Sequence, residues 1–413
     1  MQNSPIAARL HNGAIMLEAQ IVSPVTAVSD RIIRRAVKIR HQLHQIPELA
    51  YEEHDTSAMI AAELTRLGIR MQRGLGGGTG IVAEIGTGHQ CLALRADMDA
   101  LPVTEATNAV WKSRRPGLMH ACGHDGHMAV LLGAAAYLAA QSDTLGGRVK
   151  LIFQPAEEGQ NGALRMCEDQ VLDSPRVQAI FGLHGWPELE VGHVASRPRG
   201  FLAAVDTITI VVRGVGTHSA YPHKGKNPIQ CAASLMTEIS SAITQRISPT
   251  ETVVFTVGTF NAGQASNVVP DSAIFSGTLR TLAAEVRRQT ISLIREVSRT
   301  VAAVHGCRTE LQLSSGTPAT INSHSAYELF DRTARTILGT ENVHLLDQPF
   351  LWSEDFAYYL RQVPGCFFIL GTRPRGRKTY PMLHNPRYEF PDSAVGTGIR
   401  LMAALAMNFL AGN

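Results

Sequence analysis

Residues 91–99 read CLALRADMD, an apolar run of strand length that ends in two carboxylates, Asp97 and Asp99. The same shape recurs further along. VKLIFQ (149–154) runs into Pro155, Ala156, Glu157 and Glu158, and AIFGL (179–183) runs into His184. Near-continuous apolar strands mark a sheet buried on both faces, and helical segments alternate with these runs. The spacing therefore predicts an α/β fold with a largely parallel central sheet flanked by helices, in which CFFIL (366–370) is a further strand. In such sheets the working groups lie just beyond the carboxyl ends of the strands. Three strand ends are thus expected to deliver carboxylates and an imidazole to one rim.

Between the first two of these strands lies HACGHDGH (120–127), a thiol, three imidazoles and a carboxylate interleaved with two glycines. A soft sulfur beside borderline nitrogens suits zinc, manganese, cobalt or nickel rather than calcium or magnesium. MAVLLGAAAYL (128–138) follows with helical propensity, so the cluster is expected on a loop at a helix N-terminus, an end that favours a thiolate. The pair Glu157-Glu158 points in two directions, so that one carboxylate can bind metal while the other faces substrate. Asp97 and Asp99 share one face of an extended chain, where either can orient a ligand histidine.

Upstream, an amphipathic helix is predicted from about 24 to 46, stopping at Pro47, and a second from 53 to 67, ending at Gly68. Residues 1–25 show no period and are expected to form a loose extension. The glycines between 74 and 80 lack the dinucleotide-loop spacing and lead into a strand, so they read as a turn. Residues 200–314 change character. Strand 205–212, helix 228–247, strands 252–260 and 272–281, helix 283–304 and strand 308–313 give the order β-α-β-β-α-β of a ferredoxin-like α+β unit. The α/β pattern then resumes with helices near 325–338 and 393–410. The expected division is a catalytic domain from 1–199 and 315–413, with 200–314 inserted as a lid and dimerisation domain.

With 413 residues, two domains are the natural prior. A net charge of +3 is too small at this size to imply nucleic acid, and the densest basic run, RPRGRK (373–378), reads as a solvated loop. No apolar stretch is expected to span a membrane, and Glu18 interrupts any signal-peptide core. The six cysteines are scattered singly, which fits a reducing cytoplasm better than a disulfide framework.

The chain resembles the aminoacylase and carboxypeptidase family of dinuclear metallohydrolases, and within it the branch of hippurate hydrolases and indole-acetyl-amino-acid amidohydrolases. The resemblance is carried by LHQIPELAYEE (43–53), LRADMDALPVTE (94–105), GLMHACGHDGH (117–127), FQPAEEG (153–159), GLHGWP (182–187), SNVVPD (266–271), SEDFA (353–357) and LHNPRYEF (383–390). It implies two divalent cations per subunit, manganese, zinc, cobalt or nickel, held by Cys122, His124, Glu158, His184 and His384. It also implies Glu157 as general acid/base and Asp99 as an acid beside the metals. Two departures from the wider family match this branch: Asp97 stands where a ligand histidine is usual, and Cys122 where a bridging aspartate is.

The resemblance points to His218, in GTHSAYPH (216–223), as the partner of the tetrahedral oxyanion, acting within its own subunit or across to a second, with His223 as the runner-up. Asn267 and Arg280 are candidates to hold a substrate carboxylate, Arg280 because its fork matches that group. The expected activity is hydrolysis of small N-acyl amino acids, such as hippurate-like, N-acetyl or indole-acetyl conjugates. A metallo-dipeptidase or carboxypeptidase, an inactive metal-binding relative and an amidase using Cys122 as nucleophile are the alternatives. A homodimer through the lid's exposed strand edge, or a higher assembly built on it, is expected.

Overall fold

The structure is a computed structural model that describes residues 28–411. The extension expected at 1–25 lies outside them. Eight strands form the larger sheet in the order Arg70–Leu75, Gly80–Gly86, Arg148–Gln154, Cys91–Asp97, Ala179–Glu190, Gly365–Arg373, Val194–Ser196 and Val343–Leu345. The centre is parallel. Cys91–Asp97 pairs parallel with both neighbours, and Ala179–Glu190 pairs parallel with Gly365–Arg373. Antiparallel pairing enters toward the first edge and where Val194–Ser196 joins.

Side-chain alternation along each strand supplies both faces of this sheet. Leu92, Leu94 and Ala96 point into a cluster with Leu131, Leu138, Ile399 and Leu405, from the helices His124–Ala139 and Asp392–Ala411. Cys91 and Ala93 point the other way, toward Met166, Phe356 and Phe367. Each fully buried leucine contributes roughly 1.5–3 kcal/mol of transfer free energy. The sheet is therefore held from both sides, and its strand ends are stiff mounts for side chains.

The expectation that no stretch is long enough to cross a membrane needs correction. Asp392–Ala411 meets that test by length and composition. It is apolar nearly all round because it is a core helix, packed against His124–Ala139 and His324–Leu338. A second correction concerns His184, which does not end its strand. Ala179–Glu190 runs on because Gly365–Arg373 keeps pairing with it as far as Glu190.

The second sheet has the order Val253–Ala262, Ser272–Thr281, Ala204–Arg213, Arg308–Ser315, antiparallel throughout. The helices Pro228–Arg246 and Ala284–Val304 cover one face, around Ile208, Ile210, Leu235 and Ile294. Asn227 caps the first of them by accepting the Ile229 N–H at 3.0 Å, with Pro228 at the first helical position. Just outside this sheet, Arg199–Leu202 pairs with Thr320–Asn322, so the chain enters and leaves it side by side.

Candidate metal centre and active site

The rim of the larger sheet gathers most of the residues that the sequence singles out. Past Gln154 the backbone turns so tightly that Ala156, Gly159 and Asn161 all take positive φ. Such a conformation costs an alanine roughly 1–2 kcal/mol, and neighbouring carboxylates hold it. Glu53 Oε1 accepts the Ala156 N–H at 2.9 Å, and Asp99 Oδ2 accepts the Glu158 N–H at 2.9 Å. Glu157 and Glu158 are thereby presented to one cavity.

The helix that follows HACGHDGH begins earlier than expected, at His124, with Gly123 before it at φ 87°. Cys122 precedes that turn, and His384 is drawn beside it by an N–H donated to the Ala121 carbonyl at 2.8 Å. Cys122 Sγ lies 3.4 Å from His184 Nε2, and His384 Nε2 lies 3.2 Å from Glu158 Oε1. Two donor triads result, Cys122–His124–His184 and Cys122–Glu158–His384, the ligand atoms of each within 4.8 Å of one another. The sulfur belongs to both.

The histidines are oriented by backbone carbonyls. His124 Nδ1 donates to the Asp99 carbonyl at 2.9 Å and His184 Nδ1 to the Gly185 carbonyl at 2.8 Å. Both Nε2 atoms are left to face inward, the arrangement in which an imidazole ligates a metal. His124 Nε2 is buried with no hydrogen-bond partner among the described residues. Orphaned buried atoms of this kind are costly unless a ligand satisfies them. The donor set thus fits a pair of borderline divalent cations.

The electrostatics agree. Burial, then the Glu158 and Glu157 carboxylates, push the Cys122 thiol well up. These outweigh the helix-end field from which a thiolate was expected, so the thiolate needs a compensating cation. Burial opposes charge on His124, but Asp97, Asp99 and Glu158 push its pKa up to about 10. A proton there occupies the position that a cation would take. Burial, followed by the Glu354 and Glu158 carboxylates, holds Glu157 well above the ordinary carboxylate range.

A buried polar layer underlies these groups. Arg95, fully buried, donates to Gln154, Asp97, Glu354 and Asp355 at 2.7–3.2 Å. Although burial disfavours its charge, Asp97 is held well below the usual carboxylate range by His124, His127 and Arg95. Behind HACGHDGH, His44 is a buried cation between Asp125 at 3.0 Å and Glu105 at 3.3 Å. Burial opposes its charge, and those two carboxylates push it up to about 9. Sequence reasoning missed Glu53, Arg95, His127 and Glu354. Each stands in a quoted stretch, His127 as the last imidazole of HACGHDGH and Arg95 as a charge inside an apolar strand, but none was given a role.

A cavity of about 600 Å³ opens over the rim. Cys122, Glu157, Glu158, His184 and His384 line it, with Trp186 and Trp352 stacked at 5.7 Å on one wall and Val205, Thr207, Arg280 and Ser314 on another. Arg280 donates to the Leu351 carbonyl across that wall. His218 and Asn267 are not on this cavity. They sit together on the exposed ribbon formed by Thr217–His218 and Val268–Val269, where the Asn267 carbonyl accepts the Ser219 N–H. His223 is exposed as well.

The profile of peptidase family M20/M25/M40 matches residues 93–408. IAA-amino acid hydrolase ILR1-like 2 of Arabidopsis thaliana is 38% identical over 389 residues, 93% of this chain and 87% of that one. N-acetyl-L-cysteine deacetylase of Bacillus subtilis is 36% identical over 365 residues, 88% of this chain and 85% of that one. Among solved structures, a Bacillus subtilis protein described as a dinuclear metal binding peptidase superposes with a TM-score of 0.81 at 31% identity, covering 93% of this chain and 100% of its own.

Proposed function

The chain belongs to peptidase family M20/M25/M40, and from that premise we propose that it is a metal-dependent amidohydrolase. Its substrates are small N-acyl amino acids, split into a carboxylic acid and a free amino acid. Relatives named for the hydrolysis of an indole-acetyl conjugate and of an N-acetyl amino acid support this reading. The observation that carries it is the Cys122 sulfur shared by two donor triads, with Glu157 beside them on the same cavity.

In this reading Cys122, His124, Glu158, His184 and His384 hold two cations, with Asp99 fixing His124 and the Glu158 backbone. Thiolate and imidazole donors favour manganese, zinc, cobalt or nickel. When bound, such a pair supplies Lewis acidity and a lowered pKa for water. Glu157 takes a proton from the water that adds to the amide carbonyl, then delivers it to the departing amine nitrogen. Burial and the neighbouring carboxylates favour its protonated form, the form that delivers the proton to the amine. Arg280, on the cavity wall, pairs with the substrate carboxylate, and the indole wall receives the acyl group.

Residues 200–314 act as the lid and dimerisation domain, set into a catalytic domain of 1–199 and 315–413. The outer strand Val253–Ala262 exposes Val254 and Phe260 along an unpaired edge that a second copy can extend. His218 and Asn267, off this chain's own cavity, reach the site of that copy. The six free cysteines fit a cytoplasmic enzyme.

The test is Glu157→Gln, assayed with a panel of N-acyl amino acids and dipeptides on enzyme loaded separately with each metal. Metal content should stay at the wild-type level while turnover falls roughly 10²–10⁴-fold. Undiminished turnover removes Glu157 from the reaction, and a preference for dipeptides turns the reading to a peptidase.

A further inference from the structure

His127 closes the HACGHDGH run, buried against the same centre. By distance it belongs among the ligands, since Asp97, His124 and His127 also offer donor atoms within 4.8 Å. Its two nitrogens are already engaged. Nε2 accepts the Gly185 N–H at 2.8 Å, and Nδ1 lies 2.7 Å from Asp97 Oδ1. A ring nitrogen that accepts an N–H carries no proton, so the proton sits on Nδ1 and is donated to Asp97. Neither nitrogen keeps a lone pair for a cation.

Each end of this contact is anchored. Asp97 accepts from Arg95 Nη1 at 2.7 Å. Gly185, whose N–H is held by His127, offers its carbonyl to His184 Nδ1. Phe390 lies edge-on to the His127 ring at 5.8 Å and fills the space above Gly126, where a Cβ would come within 2.3 Å of it. The imidazole cannot swing away.

We propose that His127 is a positioning residue: through Asp97 and the Gly185 backbone it sets the ring angle and tautomer of His184. This rests on the reading of His184 as a metal ligand. The relay runs Arg95, Asp97, His127, Gly185, His184, and it gives Asp97 a task at the position where a ligand histidine would otherwise stand. Partners that orient a ligand in this way are typically worth 10–100-fold in metal affinity.

The full chain is loaded with cobalt(II), whose d–d and thiolate charge-transfer bands report the coordination. His127→Phe should bind as many cobalt ions at saturation as wild type, with one step weakened roughly 10–100-fold and altered d–d bands. His127→Gln, which can donate to Asp97 and accept from Gly185, should recover most of both. Wild-type affinity and bands in His127→Phe overturn the proposal, as does loss of one cobalt equivalent, which makes His127 a ligand. Should His127→Phe not fold, wild-type protein carrying ¹¹³Cd and ¹⁵N-histidine decides. His127 should show the Nδ1–H tautomer without cadmium coupling while His124 and His184 couple through Nε2, and coupling at His127 overturns the relay. Wild-type protein that shows no thiolate band at all refutes the ligand reading itself, and the relay with it.

Discussion

Cys122 Sγ stands 3.4 Å from His184 Nε2, although the two residues come from different elements of the chain. The same sulfur lies with Glu158 and His384 in a second cluster. A shared donor makes Cys122 unequal to the other four. Cys122→Ala should weaken both cation sites, whereas His384→Ala should weaken one. Metal content after dialysis measures this, and a Cys122→Ala protein that keeps two cations at wild-type affinity defeats the bridging role.

Chelation separates the metal reading from a cysteine nucleophile. Exhaustive dialysis against a strong chelator should abolish hydrolysis, and adding back manganese, zinc, cobalt or nickel should restore it. Activity that survives metal removal, yet disappears on alkylation, transfers the reaction to the Cys122 thiol.

Arg280 reaches the cavity from the second sheet and donates to the Leu351 carbonyl. If it also pairs with the substrate carboxylate, Arg280→Ala removes one charged hydrogen bond, worth about 1.5–3 kcal/mol. KM should rise on the order of 10–100-fold while kcat changes little, because such binding is equal in ground and transition states. An unchanged KM excludes the contact.

Glu63 illustrates a pH effect remote from the site. Burial disfavours its charge, but Arg66 and Arg35 hold its pKa down to about 2 from 4.5. A depressed carboxylate adds stability that is complete above the unfolded value and is lost as pH falls through 4.5 toward 2. Both arginines are partly exposed, so the contribution is on the order of 1 kcal/mol. Glu63→Gln should lower the thermal midpoint at neutral pH, with the gap to wild type closing near pH 2. A constant gap across that range rules out the ion pairs as its source.

Much of this was legible in the chain because it rests on short-range pattern. Apolar strand runs, the β-α-β-β-α-β order and the carboxylates following CLALR and VKLIFQ are local, and the structure reproduces them. The extension of Ala179–Glu190 past His184 was not legible, since it depends on a partner strand far along the chain. The layer around Arg95 was hidden for a similar reason: its partners Gln154 and the adjacent pair Glu354-Asp355 come from two distant segments and meet only when the sheet is assembled. The carboxylates that oppose a thiolate at Cys122 were hidden as well, because a helix end is visible in sequence and groups from other loops are not.

Arg199–Leu202 lies against Thr320–Asn322, so the excursion into the second sheet departs and returns at a single doorway. Val205, Thr207, Arg280 and Ser314 arrive through it, whereas every group that cradles the proposed cations is built outside it. One wall of the cavity is therefore encoded apart from the proposed ligands, while the indole wall of Trp186 and Trp352 is encoded with them. A descendant can reshape that one wall by rewriting the excursion and leave the cradle of the proposed cations as it was.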